Sequence, residues 1–175
     1  MDAFYDFVKS VSHKRLVDQG APAEGLILEP TDKQLVYAHW MGLILVGRQG
    51  LKTIFKVHFS SNQITGLLGR KFKSKNLMLD FAKEYCNLVA GAIKAELGKA
   101  ELDCGISLPL ITRGFDETFF ATIKQNNEKI WKLRNGNDEI YAAVSVQCDT
   151  KSMDLLKGIA YSDINEEVDE EFDLL

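Results

Sequence analysis

A carboxylate and a carboxamide three residues apart, Glu84 and Asn87, lie inside a long segment with helical patterning. At that spacing two side chains leave a helix on the same side, so both could enter a partner protein's site together. Asp80 and Gly91 continue the rhythm before and after them, making a ridge along the helix. On spacing alone the ridge reads two ways. Glu is a good helix former, and Lys83 and Lys94 suit a solvated helix face. Asn is less comfortable in mid-helix, where its amide competes for backbone hydrogen bonds, and Gly costs about 1 kcal/mol relative to Ala. Two locally unfavourable residues on one ridge invite a functional reading.

Other chemistries find little support. His13, His39 and His58 are far apart, with no HxxxH or HxH spacing and no flanking Cys ligand, so no metal site is expected. Cys86, Cys104 and Cys148 form an odd set without CxxC spacing, and each is expected to be a small buried apolar residue rather than a disulfide or zinc ligand. Gly47-Arg48-Gln49-Gly50 lies between two strand-like runs and suits a hairpin turn better than a phosphate cradle. A serine nucleophile elbow and a recognisable Cys/His pair are both missing.

The elements that must position the ridge can be read from periodicity. Residues 76–99 carry Leu79, Ala82, Cys86, Ala90, Ile93 and Leu97 at steps of three or four, a single stripe to bury, with Gly98 as the expected stop. Residues 3–19 place Phe4, Phe7, Val8, Val11 and Leu16 near helical spacing, and Gly20 with Pro22 supplies a stop. Strand-like runs cover 35–46 and 51–59, forming a hairpin, and then 104–112, 118–125, 129–133 and 139–147, with a turn at 135–138. A short helix over 60–68 ends at Gly69. Two long helices, short extra helices and many strands predict an α+β architecture with a largely antiparallel sheet.

The chain has 175 residues, 46% hydrophobic and 26% charged, which suits one globular core. Its net charge of −4 is uneven: residues 163–175 hold seven acids and no base, which leaves 1–162 at +3 with 21 basic against 18 acidic residues. That balance does not suggest nucleic-acid binding. One basic cluster stands out, Arg70, Lys71, Lys73 and Lys75, readable as a solvated loop or as a surface that steers an acidic partner. The longest apolar stretch, Met41 to Gly47, is too short to span a membrane, and the acidic N-terminus is unlike a signal peptide, so no membrane insertion and a cytoplasmic location are expected. Residues 1–150 are expected as the domain, and 151–175 as a C-terminal extension with an acidic, flexible tail. That tail could be inert, a docking peptide, or a screen laid over the basic cluster.

The run Asp80-x3-Glu84-x2-Asn87, followed by 21 residues and Pro109, resembles the signature of the CheC/CheX/FliY family of response-regulator phosphatases. DFAKEYCNLVAGAIKAEL resembles the family's signature helix, Ile106-Ser107-Leu108-Pro109 with Gly114 the following strand, and ITGLLGR the helix before it. The likeness spans about residues 1–148 and is strongest over 64–114. A single Glu-x2-Asn is present, so the chain looks more like CheX than like the two-site CheC.

The resemblance implies a CheC-like fold and a phosphatase acting on the phospho-aspartate of a CheY-like response regulator, with Asn87 orienting water and Glu84 pairing with the receiver's lysine. Asp80, Lys83, Gly91 and the cluster Arg70, Lys71, Lys73 and Lys75 are the expected partner-binding residues. Asp80 could also serve as a favourable charge near the helix N-terminus, and Pro109 as a strand-edge residue. No cofactor of the chain's own is implied, since Mg2+ comes with the receiver. A homodimer, paired through strands within 117–147, is a further expectation. The alternative is a non-catalytic binding module docking on a receiver or a flagellar-switch component. A small-ligand sensor would need a sizeable apolar pocket.

Overall fold

The structure, a computed structural model, describes residues 1–30, 40–113 and 128–162. Among the described residues the elements run α1 (Asp2–Asp18), β1 (Ile27–Pro30), β2 (Trp40–Arg48), β3 (Leu51–Phe59), α2 (Ser61–Leu67), α3 (Lys75–Lys99), β4 (Gly105–Ile106), β5 (Leu110–Arg113), β6 (Glu128–Asn135), β7 (Asp138–Cys148) and α4 (Thr150–Gly158). The strands form one antiparallel sheet ordered β1-β6-β7-β3-β2, with β4 and β5 both paired to the free side of β2. The expected strand at 118–125, the residues 35–39 of the expected hairpin, and the acidic run 163–175 lie outside the described residues.

Alternation sorts the core onto one face of the sheet. Leu51, Phe55, Val57 and Phe59 of β3 and Ile140, Ala142, Val144 and Val146 of β7 are buried together with Ile44 and Val46 of β2. The apolar stripes of α1 and α3 join the same cluster. Ser12 of α1 ties the layers: its hydroxyl accepts from Trp131 Nε1 at 2.8 Å, and its carbonyl accepts from Tyr85 Oη at 2.9 Å. Buried groups satisfied in this way fix the orientation of α3 over the sheet as well as its depth.

Helix endings show where local rules suffice. At α1 the amides of Gly20 and Ala21 return to Val17 and Leu16, and at α2 those of Gly69 and Arg70 return to Gly66 and Thr65. Both are Schellman endings with glycine at the left-handed position, φ +102° and +60°. Helix α3 was expected to stop at Gly98, but it continues to Lys99 and closes the same motif one turn on, with Glu101 at φ +59°. Leu102 follows, buried in the core with its amide bonded to Leu97 O at 3.0 Å, so the tertiary contact places the turn on a residue that dislikes it.

From residue 150 to 162 the chain stays on the core. Asp149 caps α4 by accepting from Ser152 N at 2.7 Å, Leu156 is fully buried, and the Tyr161 ring lies 5.8 Å from Phe4 and 5.3 Å from Phe7.

Candidate functional site

Helix α3 starts at Ser74, whose hydroxyl accepts from Leu77 N at 3.3 Å, and runs 25 residues. Its buried stripe includes Met78, Ala82, Cys86, Ala90, Ile93 and Leu97. At 100° per residue, Asp80, Glu84, Asn87 and Gly91 fall on the opposite side. Asp80, Glu84 and Asn87 are exposed and Gly91 is half-buried. Among the described residues neither Glu84 nor Asn87 makes a hydrogen bond or an ion pair. Both therefore present their full bonding capacity to whatever docks on the ridge. A Cβ at Gly91 would meet nothing within 4 Å, so no packing among the described residues calls for glycine there.

The other expected residues divide. Asp80 accepts from Lys83 Nζ at 3.0 Å, an exposed pair one turn apart. The first turn of α3 holds no acid, and Asp80 lies beyond it, where the helix dipole has faded; its local partner is Lys83 rather than the N-terminus. In the basic cluster Arg70 is stacked 5.2 Å from the Phe81 ring and 5.6 Å from Phe72. Lys75 lies 4.4 Å from the Trp40 ring, which also carries Arg113 at 4.6 Å. Lys71 and Lys73 are exposed. Trp40 and Arg113 thus join the basic surface by tertiary contact, and no spacing in the sequence links them to Lys75.

Pro109 sits in a β-bulge. Val46 pairs with Ile106 but Leu43 pairs with Leu110, so three steps on β2 face four on the neighbouring chain. Ser107 mends the ladder: its amide donates to Leu45 O at 2.9 Å and its hydroxyl accepts from Leu45 N at 3.0 Å. A proline, with no N–H to lose, fits the unpaired position. The single strand expected over 104–112 is therefore two strands around a bulge.

The cysteines and histidines lie elsewhere in the fold. Burial pushes the Cys86 thiol up to about 12, and Cys104 is raised by the same cause. Cys148, expected to be buried, is only half so at the end of β7. His13 Nε2 is bonded to Leu26 O at 3.0 Å, a structural role; His39 lies outside the described residues. Among the described residues no three His, Cys, Asp or Glu gather to hold a metal ion, and no helix is long and apolar enough to cross a membrane. A groove of about 390 Å³ at the C-terminal end of α3 is lined by Glu96, Lys99, Ala100, Asp154, Leu155 and Ile159; it is open to solvent rather than enclosed, and it lies away from the ridge.

No family model matches the chain, and no curated protein matches it either. Solved structures do. A chemotactic CheC-like protein from Shewanella oneidensis MR-1 superposes with a TM-score of 0.60 at 19% identity, covering 84% of this chain and 100% of that one. The CheX-CheY-BeF3-Mg complex from Borrelia burgdorferi matches at 0.61 and 10% identity, over 80% and 96% of the two chains. Chemotaxis protein CheX from Vibrio vulnificus matches at 0.58 and 15%, over 81% and 99%. The chain has the CheC-like fold.

Proposed function

We propose that the chain is a CheX-like phosphatase that docks its α3 ridge on a CheY-like response regulator and hydrolyses the receiver's phospho-aspartate. One observation carries this reading: among the described residues Glu84 and Asn87 stand unpaired, on the exposed side of a helix whose other side is locked into the core. The similar CheX was solved with CheY, BeF3 and Mg, which supports a CheY-like protein as partner.

The chemistry asks little of the chain. A water attacks phosphorus, the bond from phosphorus to the aspartyl oxygen breaks, and inorganic phosphate leaves with the carboxylate regenerated. An acyl phosphate is already labile, so the gain comes from orienting the water. The Asn87 amide can accept from and donate to that water without repelling the anionic phosphoryl group. Glu84 pairs with the receiver's lysine and sets the depth of insertion. Magnesium enters with the receiver. Gly91 lets the partner's backbone approach, the Asp80–Lys83 pair borders the ridge, and Lys71 and Lys73, with Arg70 and Lys75, steer an acidic receiver surface.

The test is phosphate release from phosphorylated receiver domains mixed with wild-type chain and with Asn87→Ala. Loss of about a hundredfold or more in rate with the fold intact is expected. Wild-type binding without any acceleration of phosphate loss would instead mark a non-catalytic binding module.

A further inference from the structure

Leu108 is 90% exposed, far more than any other exposed large apolar side chain among the described residues, the next being Leu110 at 55% and Leu77 at 50%. Its exposure is built. The bulge between β4 and β5 throws the residue out of the ladder, Ser107 takes both polar groups of Leu45, and Pro109 holds the following φ near −65°. A side chain presented on a fixed backbone loses little further backbone freedom when it is buried by a partner.

Its position relates it to the ridge. A Cβ at Gly42 would stand 3.0 Å from Ile111 Cδ1 and 3.2 Å from Cys86 Sγ, so β5 at Ile111 lies against α3 at Cys86, the residue before Asn87. Leu108 is three residues back along the strand, at most about 10 Å. Adding about 10 Å between packed layers, and the half-diameter of a helix about 10–12 Å wide because Asn87 faces away from the sheet, puts it roughly 18–25 Å from the Asn87 side chain. A standard interface covers about 800 Å² on each partner, a patch about 30 Å across, and so takes in both.

We infer that Leu108 is an apolar anchor for the same receiver protein, inserting into a pocket on the receiver surface and setting which receiver is bound, while Glu84 and Asn87 act at the phosphoryl group. This rests on the receiver-docking reading above. A second copy of the chain is a poorer occupant, because seating it over Leu108 would crowd the ridge from the side.

The experiment measures Kd for CheY-like receiver domains loaded with beryllofluoride and Mg2+, together with dephosphorylation kinetics, for wild type, Leu108→Ala and Leu108→Asp. Circular dichroism checks the fold, which a side chain this exposed does not support. Kd and KM should rise about 10- to 100-fold, with kcat near wild type and the loss insensitive to ionic strength. Unchanged Kd in both variants, with wild type binding normally, refutes the anchor and leaves the phosphatase reading standing. Loss of a homodimer in the Asp variant, without loss of receiver binding, also refutes it. Wild-type binding without turnover removes the catalytic reading, and Kd still decides the anchor. Wild-type failure to bind any receiver refutes both.

Discussion

Replacing Gly91 with alanine separates what the fold wants from what docking wants. Gly91 lies deep inside α3, where glycine costs about 0.8–1.0 kcal/mol relative to alanine. The added methyl meets no atom within 4 Å, so no clash offsets the gain. Gly91→Ala should therefore stabilise the isolated chain by about 0.8–1.0 kcal/mol, or about 2–4 °C in Tm for a chain of this size. The same methyl projects from the ridge that carries Glu84 and Asn87. If a receiver's backbone closes on that surface, the methyl must weaken binding, and an overpacked contact typically costs about 1–3 kcal/mol, a factor of roughly 5 to 150 in Kd. Thermal denaturation and receiver binding by titration read the two effects separately. A more stable variant with unchanged receiver affinity would show that the ridge is an ordinary solvated face at Gly91. A less stable variant would refute the helix-propensity accounting itself.

Glu84→Ala should weaken receiver binding as well as turnover, with a penalty that shrinks at high salt; full activity and affinity would remove its lysine pairing. Glu101→Gly should stabilise the chain by about 0.5–1 kcal/mol by relieving a non-glycine residue at φ +59°, read by urea denaturation. Burial alone would raise the Glu96 carboxyl, but the Ser162 N–H at 2.7 Å and Lys99 at 3.1 Å hold it below its ordinary value of 4.5. Its contribution is thus complete above pH 4.5 and lost as pH falls through the lower folded value. Proteolysis after Tyr161 should accelerate there in wild type but much less in Glu96→Gln. Deleting 163–175 should leave receiver association unchanged at low salt: Ser162 is tied to Glu96, about 32 Å along α3 from Lys75, so the 13-residue tail would have to hold about 70% of its full extension to reach the basic cluster. Faster association of the truncated chain would revive screening. Sedimentation at high micromolar concentration tests the homodimer, and a monomer alone would rule it out.

The sequence by itself determined the elements whose causes are local. The stripe and ridge of α3 follow from a 3.6-residue period, and the stops at Gly20 and Gly69 follow from glycine's freedom at positive φ. The β2–β3 hairpin follows from Gln49-Gly50 between two strand-forming runs. Glu84 and Asn87 were legible for the same reason, because three residues on a helix always share a side. Only the tertiary structure decided where contacts distant in sequence overrule such patterns. Burial of Leu102 carried α3 past Gly98 and put Glu101 in a left-handed turn. Register against β2 broke the run 104–112 around Pro109 and turned Leu108 out to solvent, since a strand's pairing is set by its neighbour and not by its own alternation. Trp40, brought between Lys75 and Arg113, joined the basic surface because the sheet carries β2 and β5 to the start of α3, a proximity that no spacing along the chain records.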